Sequence, residues 1–301
     1  MSRSGGRTGA PRRPQRLWTD ADERVRRTAW PRAGAPATPP RVSVVTVDAD
    51  TGPLVARLVF SLRRVLGPDA LATIVVVDNG TRGETHALLA PLVEAGVVCL
   101  VGNPSRRYHG PGLNRGVSTL ARAHRHGDPA TDLVWVLDSD VVVLRPDALT
   151  AAVDALRAAG AAMAGQLQPY DQRRPRLARY AHPASLLFDP GVVWRHSVPA
   201  FLEDGAPAVM MQHVLVRRGR RVLDFPFFAD GYLLHLGGGT LGALVREGRT
   251  DNRYHDWGIE HGAPHYHGNP DGTALHAAFE AAFTDAVPEL TPDALALACG
   301  A

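Results

Sequence analysis

The sequence predicts an α/β protein with a mostly parallel sheet that helices cover on both faces. Two observations carry this prediction. The apolar runs "VSVVTVD", "TIVVVD" and "LVWVL" are continuous rather than alternating, which is typical of strands buried on both sides. Segments with apolar residues at helical spacing separate these runs, so strands and helices alternate along the chain.

The first half of the chain contains the regular part of this alternation. "RVSVVTVDAD" predicts a strand, "GPLVARLVFSLRRVLG" a helix and "ATIVVVDNG" a second strand, which together make a βαβ unit. The next elements are a helix over 84–95, a strand at "VVCLVGN" and a helix over 112–126. A fourth strand at "LVWVLDSD" and a capped helix at "RPDALTAAVDALRAAG" complete the series.

The alternation weakens after residue 160. "AAMAGQLQPY" predicts one strand, but "DQRRPRLARYAHPASLLFDPGVVW" is interrupted by Pro and is expected to be irregular. A helix over 208–218, a strand at "RRVLDFPF", a turn at "HLGGGT" and a terminal helix over 273–286 follow.

These patterns divide the chain into three parts. Residues 1–40 are rich in Gly, Pro and Arg, so we expect a disordered arm with one short helix over 18–30. We expect residues 41–160 to form the regular half of one α/β domain, and residues 161–301 its irregular half with a C-terminal helix. A chain of 301 residues is long enough to bury such a core.

Charge and cysteine usage exclude several classes of protein. The net charge is +3, but the arm carries the excess, so the folded part lacks the basic stripe of a nucleic-acid-binding protein. Cys99 and Cys299 are too few for a disulfide framework or a thiolate metal site. No apolar run approaches the roughly 20 residues of a membrane span. We therefore expect a cytoplasmic protein, whose Arg-rich arm offers peripheral contact with an anionic membrane.

Polar residues follow three of the predicted strands. Thr46 and Asp48 end the first, Asp78 begins "DNGT" after the second, and Asp138 and Asp140 follow the fourth. Ligands of such sheets bind outside the carboxyl ends of the strands, so these side chains should converge on one crevice. Two neighbouring carboxylates repel each other unless a cation compensates them. The occupant that we expect there is a divalent hard metal that also binds phosphate oxygens.

In this order, the motifs resemble the GT-A nucleotide-sugar glycosyltransferases. The quoted segments are "VSVVTVDADTGPLVARLVFSL", "IVVVDNGT", "NPSRRYHGPGLNRGVSTLA" and "WVLDSDVVVLRPDAL". They are similar in particular to the family-2-like group that includes rhamnosyl- and galactofuranosyl-type transferases. The resemblance runs from Arg41 to about residue 156 and more thinly to about residue 240. It implies that the regular half binds the nucleotide sugar and the irregular half the acceptor.

The resemblance also implies an activity. It indicates an inverting, metal-dependent transferase that moves a hexosyl or deoxyhexosyl group from a nucleoside-diphosphate sugar. The donor would be UDP-, GDP- or dTDP-linked, and the acceptor would be the hydroxyl of a saccharide or small molecule. The implied metal is Mg²⁺ or Mn²⁺.

Single residues take roles from the same resemblance. Thr46 and Asp48 match the segment that lines base and ribose, although the family's usual Pro and Asn are replaced there. Asp78 matches the first acidic residue of the family's "VVDDGS", which holds the base. The other residues that resemble the donor-binding loop and helix start are Asn103, Gly112, Asn114 and Arg115.

Three residues match the family's metal-binding positions. Asp138 and Asp140 match its Asp-x-Asp motif, with Asp140 as direct ligand and Asp138 as second ligand or as a contact to ribose or a metal-bound water. His235 precedes a Gly-rich turn and resembles the late ligand that completes the site in many GT-A enzymes.

The acceptor hydroxyl needs a base, which is usually a carboxylate. Glu203 and Asp204 precede a predicted helix, as the catalytic acidic pair does in the family, but they lie a few residues further upstream. Asp204 is the preferred base, and Glu203 and Asp230 are alternatives. Helix capping is the other interpretation of the pair.

Two other functions share parts of this pattern. A sugar-phosphate nucleotidyltransferase would carry a Gly-rich segment with a basic residue directly after its first strand. Here the segment "VDADTGPL" contains no basic residue, and the first one after the strand is Arg57. A non-catalytic nucleotide-sugar-binding protein would keep the donor site and lack the base. "GPGLNRG" imitates a dinucleotide fingerprint, but its glycine spacing and its distance from the preceding strand do not fit one.

The segment "HDWGIEHGAPHYHG" offers a second metal hypothesis. His255, His261, His265 and His267 could bind zinc, although their spacing matches no standard site. We prefer an acceptor-side loop, in which aromatic side chains of the segment offer flat faces for a sugar ring.

Overall fold

A seven-stranded sheet covered by helices forms the centre of the protein. The computed structural model describes residues 30, 39–79, 83–103, 109–125, 131–169, 179–195, 197–202, 207–236 and 268–301. This part of the chain contains eleven strands and eight helices.

The strands are β1 (Val42–Asp48), β2 (Thr73–Asp78), β3 (Val98–Gly102), β4 (Leu133–Leu137), β5 (Val141–Val143), β6 (Met163–Gly165), β7 (Leu167–Pro169), β8 (Arg179–Ala181), β9 (Ser185–Phe188), β10 (Val222–Asp224) and β11 (Leu233–His235). The helices are α1 (Gly52–Leu66), α2 (Glu84–Glu94), α3 (His109–Arg125), α4 (Ala148–Ala158), α5 (Pro190–Val193), α6 (Val209–Arg217), α7 (Gly272–Ala286) and α8 (Pro292–Ala298).

The strand order of the large sheet is β10-β6-β9-β4-β1-β2-β3. Strands β4, β1, β2 and β3 are parallel neighbours, β6 and β10 pair in parallel, and β9 runs antiparallel to both β4 and β6. The predicted mostly parallel α/β fold is therefore confirmed. The chain moves outward through β2 and β3 and then returns to the other side of β1 with β4. Such a reversal of strand order opens a crevice at the carboxyl ends of the strands.

The two faces of the sheet are buried under different helices. Val42 and Val44 of β1 belong to an apolar cluster with residues of α1, α2, α4, α7 and α8. Val45 and Val47 point the other way and belong to a second cluster with residues of α3, α5 and α6. This alternation explains why β1 has apolar residues on both faces, because a strand with helices on both sides exposes neither face to water.

The segment that we expected to be irregular contains two strands, β8 and β9. "SLLF" of β9 enters the large sheet between β4 and β6, and the Trp135 Nε1–H donates a hydrogen bond to Ser185 Oγ at 3.0 Å. The short apolar run "LLF" between two prolines was the signal for this strand. Because β6, β9 and β10 all lie beyond residue 160, the sheet spans the boundary expected there.

Other differences concern the ends of elements and the arm. Helix α3 begins at His109, before the expected start at 112, and α8 follows the helix that we expected to be terminal. Most of the arm, including most of the expected short helix, lies outside the described residues. Trp30 is described, and its ring packs 5.6 Å from that of His124 in α3. Within the described ranges, none of the helices is both long and apolar enough to cross a bilayer.

Glycines let α3 approach the sheet closely. A Cβ at Gly112 would lie 2.7 Å from Val47 Cγ1, and a Cβ at Gly116 would overlap the side chain of Val45. The helix backbone can therefore lie directly on β1, which places the amino end of α3 beside the carboxyl ends of the strands.

Replacing Gly116 by alanine should lower the free energy of unfolding by about 1 to 3 kcal/mol, because the added methyl overpacks the contact with Val45. The higher helix propensity of alanine, about 1 kcal/mol at most, offsets only part of this loss. Chemical denaturation followed by circular dichroism measures the change. Gly102→Ala is the matched control, because a Cβ there meets nothing within 4 Å. Equal losses in the two variants would contradict the close packing of α3 on β1.

Candidate active site

Hydrogen bonds join the carboxyl ends of β1, β2 and β3. The Asn79 N–H donates to the Asp48 carbonyl at 2.9 Å, and the Asn103 N–H donates to the Asp78 carbonyl at 2.7 Å. Asn103 Nδ2 also donates to Asn79 Oδ1 at 3.0 Å. The residues predicted to follow these strands therefore lie in one row at the same edge of the sheet.

The Asp-x-Asp segment forms a turn between β4 and β5. Strand β4 ends at Leu137, and the Val141 N–H donates to the Asp138 carbonyl at 3.1 Å to close the turn. Strand β5 then pairs antiparallel with β11, which places His235 opposite Val141. The Leu236 N–H donates to the Asp140 carbonyl at 2.7 Å and extends this pairing.

The pairing of β5 with β11 brings the three predicted metal-binding side chains together. One ligand atom from each of Asp138, Asp140 and His235 lies within 4.8 Å of the others, and His235 Nε2 is 3.2 Å from Asp140 Oδ1. Asp140 and His235 are buried and Asp138 is partly buried. Two carboxylates and an imidazole are a suitable donor set for a divalent ion such as Mn²⁺, and carboxylates also suit Mg²⁺.

Burial and charge shift the proton affinities of this group. Burial raises the pKa of Asp138, and neighbouring Asp140 adds to the rise, while His109 and His235 oppose it. Burial alone would lower the pKa of His235, but the Asp140 and Asp138 carboxylates outweigh it, so that the pKa is raised. A cation between the carboxylates would replace the protons that these shifts favour.

His109 is a site residue that the sequence patterns did not indicate. It is the first residue of α3, and its Nε2 lies 3.3 Å from Asp138 Oδ1. The sequence patterns placed the start of this helix at residue 112, so His109 was not assigned to it. A histidine just before the "GPGLNRG" stretch was the available signal, because that stretch was already predicted to approach the donor.

Asp48 and Thr46 are turned into the protein. Asp48 Oδ1 accepts hydrogen bonds from the Thr51 N–H and Oγ1, each at 2.8 Å, and its Oδ2 accepts one from Thr85 Oγ1 at 2.6 Å. Burial raises the pKa of Asp48, the hydrogen bonds from Thr85 and Thr51 lower it, and the charge of Asp78 adds to the rise. Thr46 is fully buried within β1.

Asp78 contacts a second histidine that the sequence patterns did not indicate. His86 lies in the first turn of α2, and its Nε2 is hydrogen-bonded to Asp78 Oδ2. About half of the His86 side chain is exposed, whereas that of Asp78 is mostly covered. The predicted base-holding carboxylate is therefore held by a helix at the rim of the crevice.

The predicted residues of α3 connect the crevice with the second half of the chain. Asn114 Nδ2 donates to the Phe201 carbonyl at 2.9 Å, and the Phe201 N–H donates to Asn114 Oδ1 at 2.9 Å. Gly110 lies against the Leu202 carbonyl so closely that a Cβ would overlap it. Gly112 packs on β1, and Arg115 is partly buried, with its carbonyl accepting a hydrogen bond from Thr119 at 3.0 Å.

Several predicted residues lie outside the described ranges. These are Glu203, Asp204, the Gly-rich turn after His235 and the segment from His255 to His267. Leu202 and Pro207 flank the acidic pair, and the Leu202 N–H donates to the Pro207 carbonyl at 2.9 Å. Asp230 is described and is exposed in the chain before β11.

The raised pKa values of Asp138 and His235 predict that binding of Mn²⁺ weakens as the pH falls. Ligands bind a metal when deprotonated, so affinity is full above the raised pKa values and is lost as the pH falls through them. Calorimetric titration should show tighter binding at about pH 8 than at about pH 6, with proton release on binding. Equal affinity at both values would contradict the assignment of these two ligands.

Comparison with known proteins gives a family match and similar solved structures. The model of glycosyl transferase family 2 matches residues 41–207. Among solved structures, the chain is similar to mannosyltransferase PcManGT from Pyrobaculum calidifontis in complex with GDP-Man and Mn²⁺. The identity is 21%, the TM-score is 0.51, and the match covers 92% of this chain and 79% of that chain. No curated protein sequence matches the chain.

Two further structures are more distant. Glucosyl-3-phosphoglycerate synthase from Mycobacterium tuberculosis, in complex with phosphoglyceric acid, is 18% identical with a TM-score of 0.45, and the match covers 61% of this chain and 69% of that one. S. aureus TarS 1–349 in complex with UDP-GlcNAc is 14% identical with a TM-score of 0.43. That match covers 57% of this chain and 52% of the TarS chain. The family match spans more than half of the sequence, and with the sheet order it establishes that this chain belongs to glycosyl transferase family 2 and has the GT-A fold.

Proposed function

We propose that the protein is an inverting, metal-dependent glycosyltransferase that moves a sugar from a nucleoside-diphosphate donor to an acceptor hydroxyl. The observation that carries this proposal is the convergence of Asp138, Asp140 and His235 at the reversal of strand order. Family membership supports glycosyl transfer, and the convergence of these three side chains supports the dependence on a metal.

The donor would lie across the carboxyl ends of β1 to β4. In this proposal Asp78 and Asn103, which are joined by a backbone hydrogen bond, would hold the nucleotide, and Asp138, which follows β4 on the other side of β1, would lie nearer the acceptor. In this proposal residues 41–160 supply the nucleotide-sugar half and residues 161–301 the acceptor half, with His235 contributed to the metal group by the second half. The transferred group is a hexosyl or deoxyhexosyl residue from a UDP-, GDP- or dTDP-linked donor.

Asp138, Asp140 and His235 would hold Mg²⁺ or Mn²⁺. The ion would stabilise the negative charge that develops on the departing diphosphate, without needing a proton donor. The chain supplies the rigid frame for this chemistry, because the turn with both carboxylates is joined to β11 by backbone hydrogen bonds. Preformed ligands need little reorganisation when the reaction proceeds.

The remaining chemistry needs one base. We propose that the Asp204 carboxylate takes the proton of the acceptor hydroxyl while that oxygen bonds to the anomeric carbon of the sugar. The bond from this carbon to the diphosphate oxygen breaks in the same displacement, so the anomeric configuration inverts. The position of Leu202, two residues before Asp204 in the sequence, supports this assignment. The Leu202 carbonyl lies against Gly110, and the preceding residue, His109, contacts Asp138.

Asp140→Asn should weaken Mn²⁺ binding by about 100-fold or more, because loss of even an outer-sphere partner of a metal ligand costs about 10- to 100-fold. Donor hydrolysis and transfer, followed with a panel of nucleotide sugars and Mn²⁺, should fall with it. Asp132→Asn is the control, because Asp132 pairs with Arg41 at the opposite edge of the sheet. Failure of the wild type to bind any nucleoside diphosphate in the presence of Mn²⁺ would overturn the proposed function.

Asp204→Ala should lower the transfer rate by about 100- to 10,000-fold, as expected for loss of a general base, while donor and Mn²⁺ binding stay near wild type. Glu203→Ala is the matched neighbour and should keep most of the rate. Transfer that survives Asp204→Ala would show that another carboxylate is the base. Donor binding without any turnover in the wild type would favour a non-catalytic nucleotide-sugar-binding protein.

A further inference from the structure

We propose that Asp48 is a positioning residue that fixes the turn from Asp138 to Asp140 through the hydroxyls of Thr51 and Ser139. This role replaces the nucleotide contact that the family resemblance implies for Asp48. The inference rests on the proposed function, because it assumes that this turn binds the metal ion.

The first step is the state of the Asp48 carboxylate. Asp48 has no exposed surface, and both of its oxygens accept hydrogen bonds from protein groups, from Thr51 at 2.8 Å and from Thr85 at 2.6 Å. A ligand could reach these oxygens only after uncovering them. A buried, hydrogen-bonded carboxylate of this kind is suited to holding segments together.

The second step leads from Asp48 to the metal-binding turn. Thr51 Oγ1, which donates to Asp48, is also hydrogen-bonded to Ser139 Oγ at 3.0 Å. The Thr51 hydroxyl is the donor in both contacts, so its single proton is shared between Asp48 and Ser139 in a bifurcated hydrogen bond. Ser139 is the residue between Asp138 and Asp140. Fixing its side chain therefore restrains the backbone that carries both carboxylates.

The third step is the set of elements that meet at Asp48. Thr51 immediately precedes α1, Thr85 lies in the first turn of α2, and Ser139 lies between β4 and β5. All three are buried. The chain turns sharply between Asp48 and α1, and Asp50 takes a left-handed backbone conformation there with φ of 59°. One carboxylate thus joins the amino ends of two helices to the turn with the proposed metal ligands.

A buried hydrogen bond of the same kind provides a control. Ser43 and Thr131 are both buried, and their hydroxyl oxygens lie 2.7 Å apart. Ser43 lies near the amino end of β1, so this pair is at the opposite edge of the sheet from Asp48. Loss of one hydroxyl should lower the stability by a similar amount at either place, because each loss leaves a buried partner unsatisfied.

The test compares Thr51→Val, Thr51→Ser and Thr131→Val in the full chain. Calorimetry measures Mn²⁺ affinity, and chemical denaturation measures stability. Thr51→Val should weaken Mn²⁺ binding by about 10- to 100-fold, the range found when a group that orients a metal ligand is lost. Thr51→Ser keeps the hydroxyl and should restore the affinity. Thr131→Val should lose stability and keep the wild-type affinity.

The outcomes separate this inference from the proposed function. If Thr51→Val lowers stability but binds Mn²⁺ as tightly as the wild type, Asp48 and Thr51 only stabilise the fold and the inference is overturned. Equal weakening by Thr131→Val would overturn it as well, because general loss of stability would then explain the effect. A wild type that binds no Mn²⁺ would instead overturn the proposed function, and the premise of the inference with it.

Discussion

The pairing of β5 with β11 is the interaction on which the candidate site depends. It is short, but it places His235 opposite Val141 and therefore beside Asp140, nearly a hundred positions away along the chain. The Leu236 N–H to the Asp140 carbonyl, at 2.7 Å, extends the same pairing. Without these backbone bonds the Asp140 carboxylate would lose its contact with the His235 imidazole. The two halves of the chain therefore meet at this pair of strands.

The fold must also accommodate carboxylates that are poorly solvated. Asp48, Asp78, Asp138 and Asp140 all lie at one edge of the sheet, and each has a protein partner there. The partners differ in kind, because hydroxyls hold Asp48 whereas histidines contact the other three. Neutral hydroxyls can satisfy a permanently buried carboxylate. The His235 imidazole, by contrast, can release its proton when a cation enters.

Sequence patterns predicted the parts of the protein that local rules control. The continuous apolar strands, the alternating helices and the Asp-x-Asp turn were all visible in the sequence, and the fold and family are confirmed. Strand β9 was missed, because prolines flank a short run and the pairing partners of such a run are set by tertiary contacts. His109, His86 and the burial of Asp48 were missed for a related reason, since each depends on contacts between distant segments. The roles of Asp204 and Glu203 stay predictions.

The most direct test of the proposed metal group is a crystal structure with Mn²⁺ and UDP, measured at the manganese absorption edge. We expect one anomalous peak within ligand distance, about 2.0 to 2.3 Å, of an Asp140 oxygen and a His235 nitrogen, with the diphosphate on its open side. A peak at other residues, for example among His255 to His267, or no peak beside a well-ordered diphosphate, would contradict the assignment of Asp138, Asp140 and His235 as metal ligands.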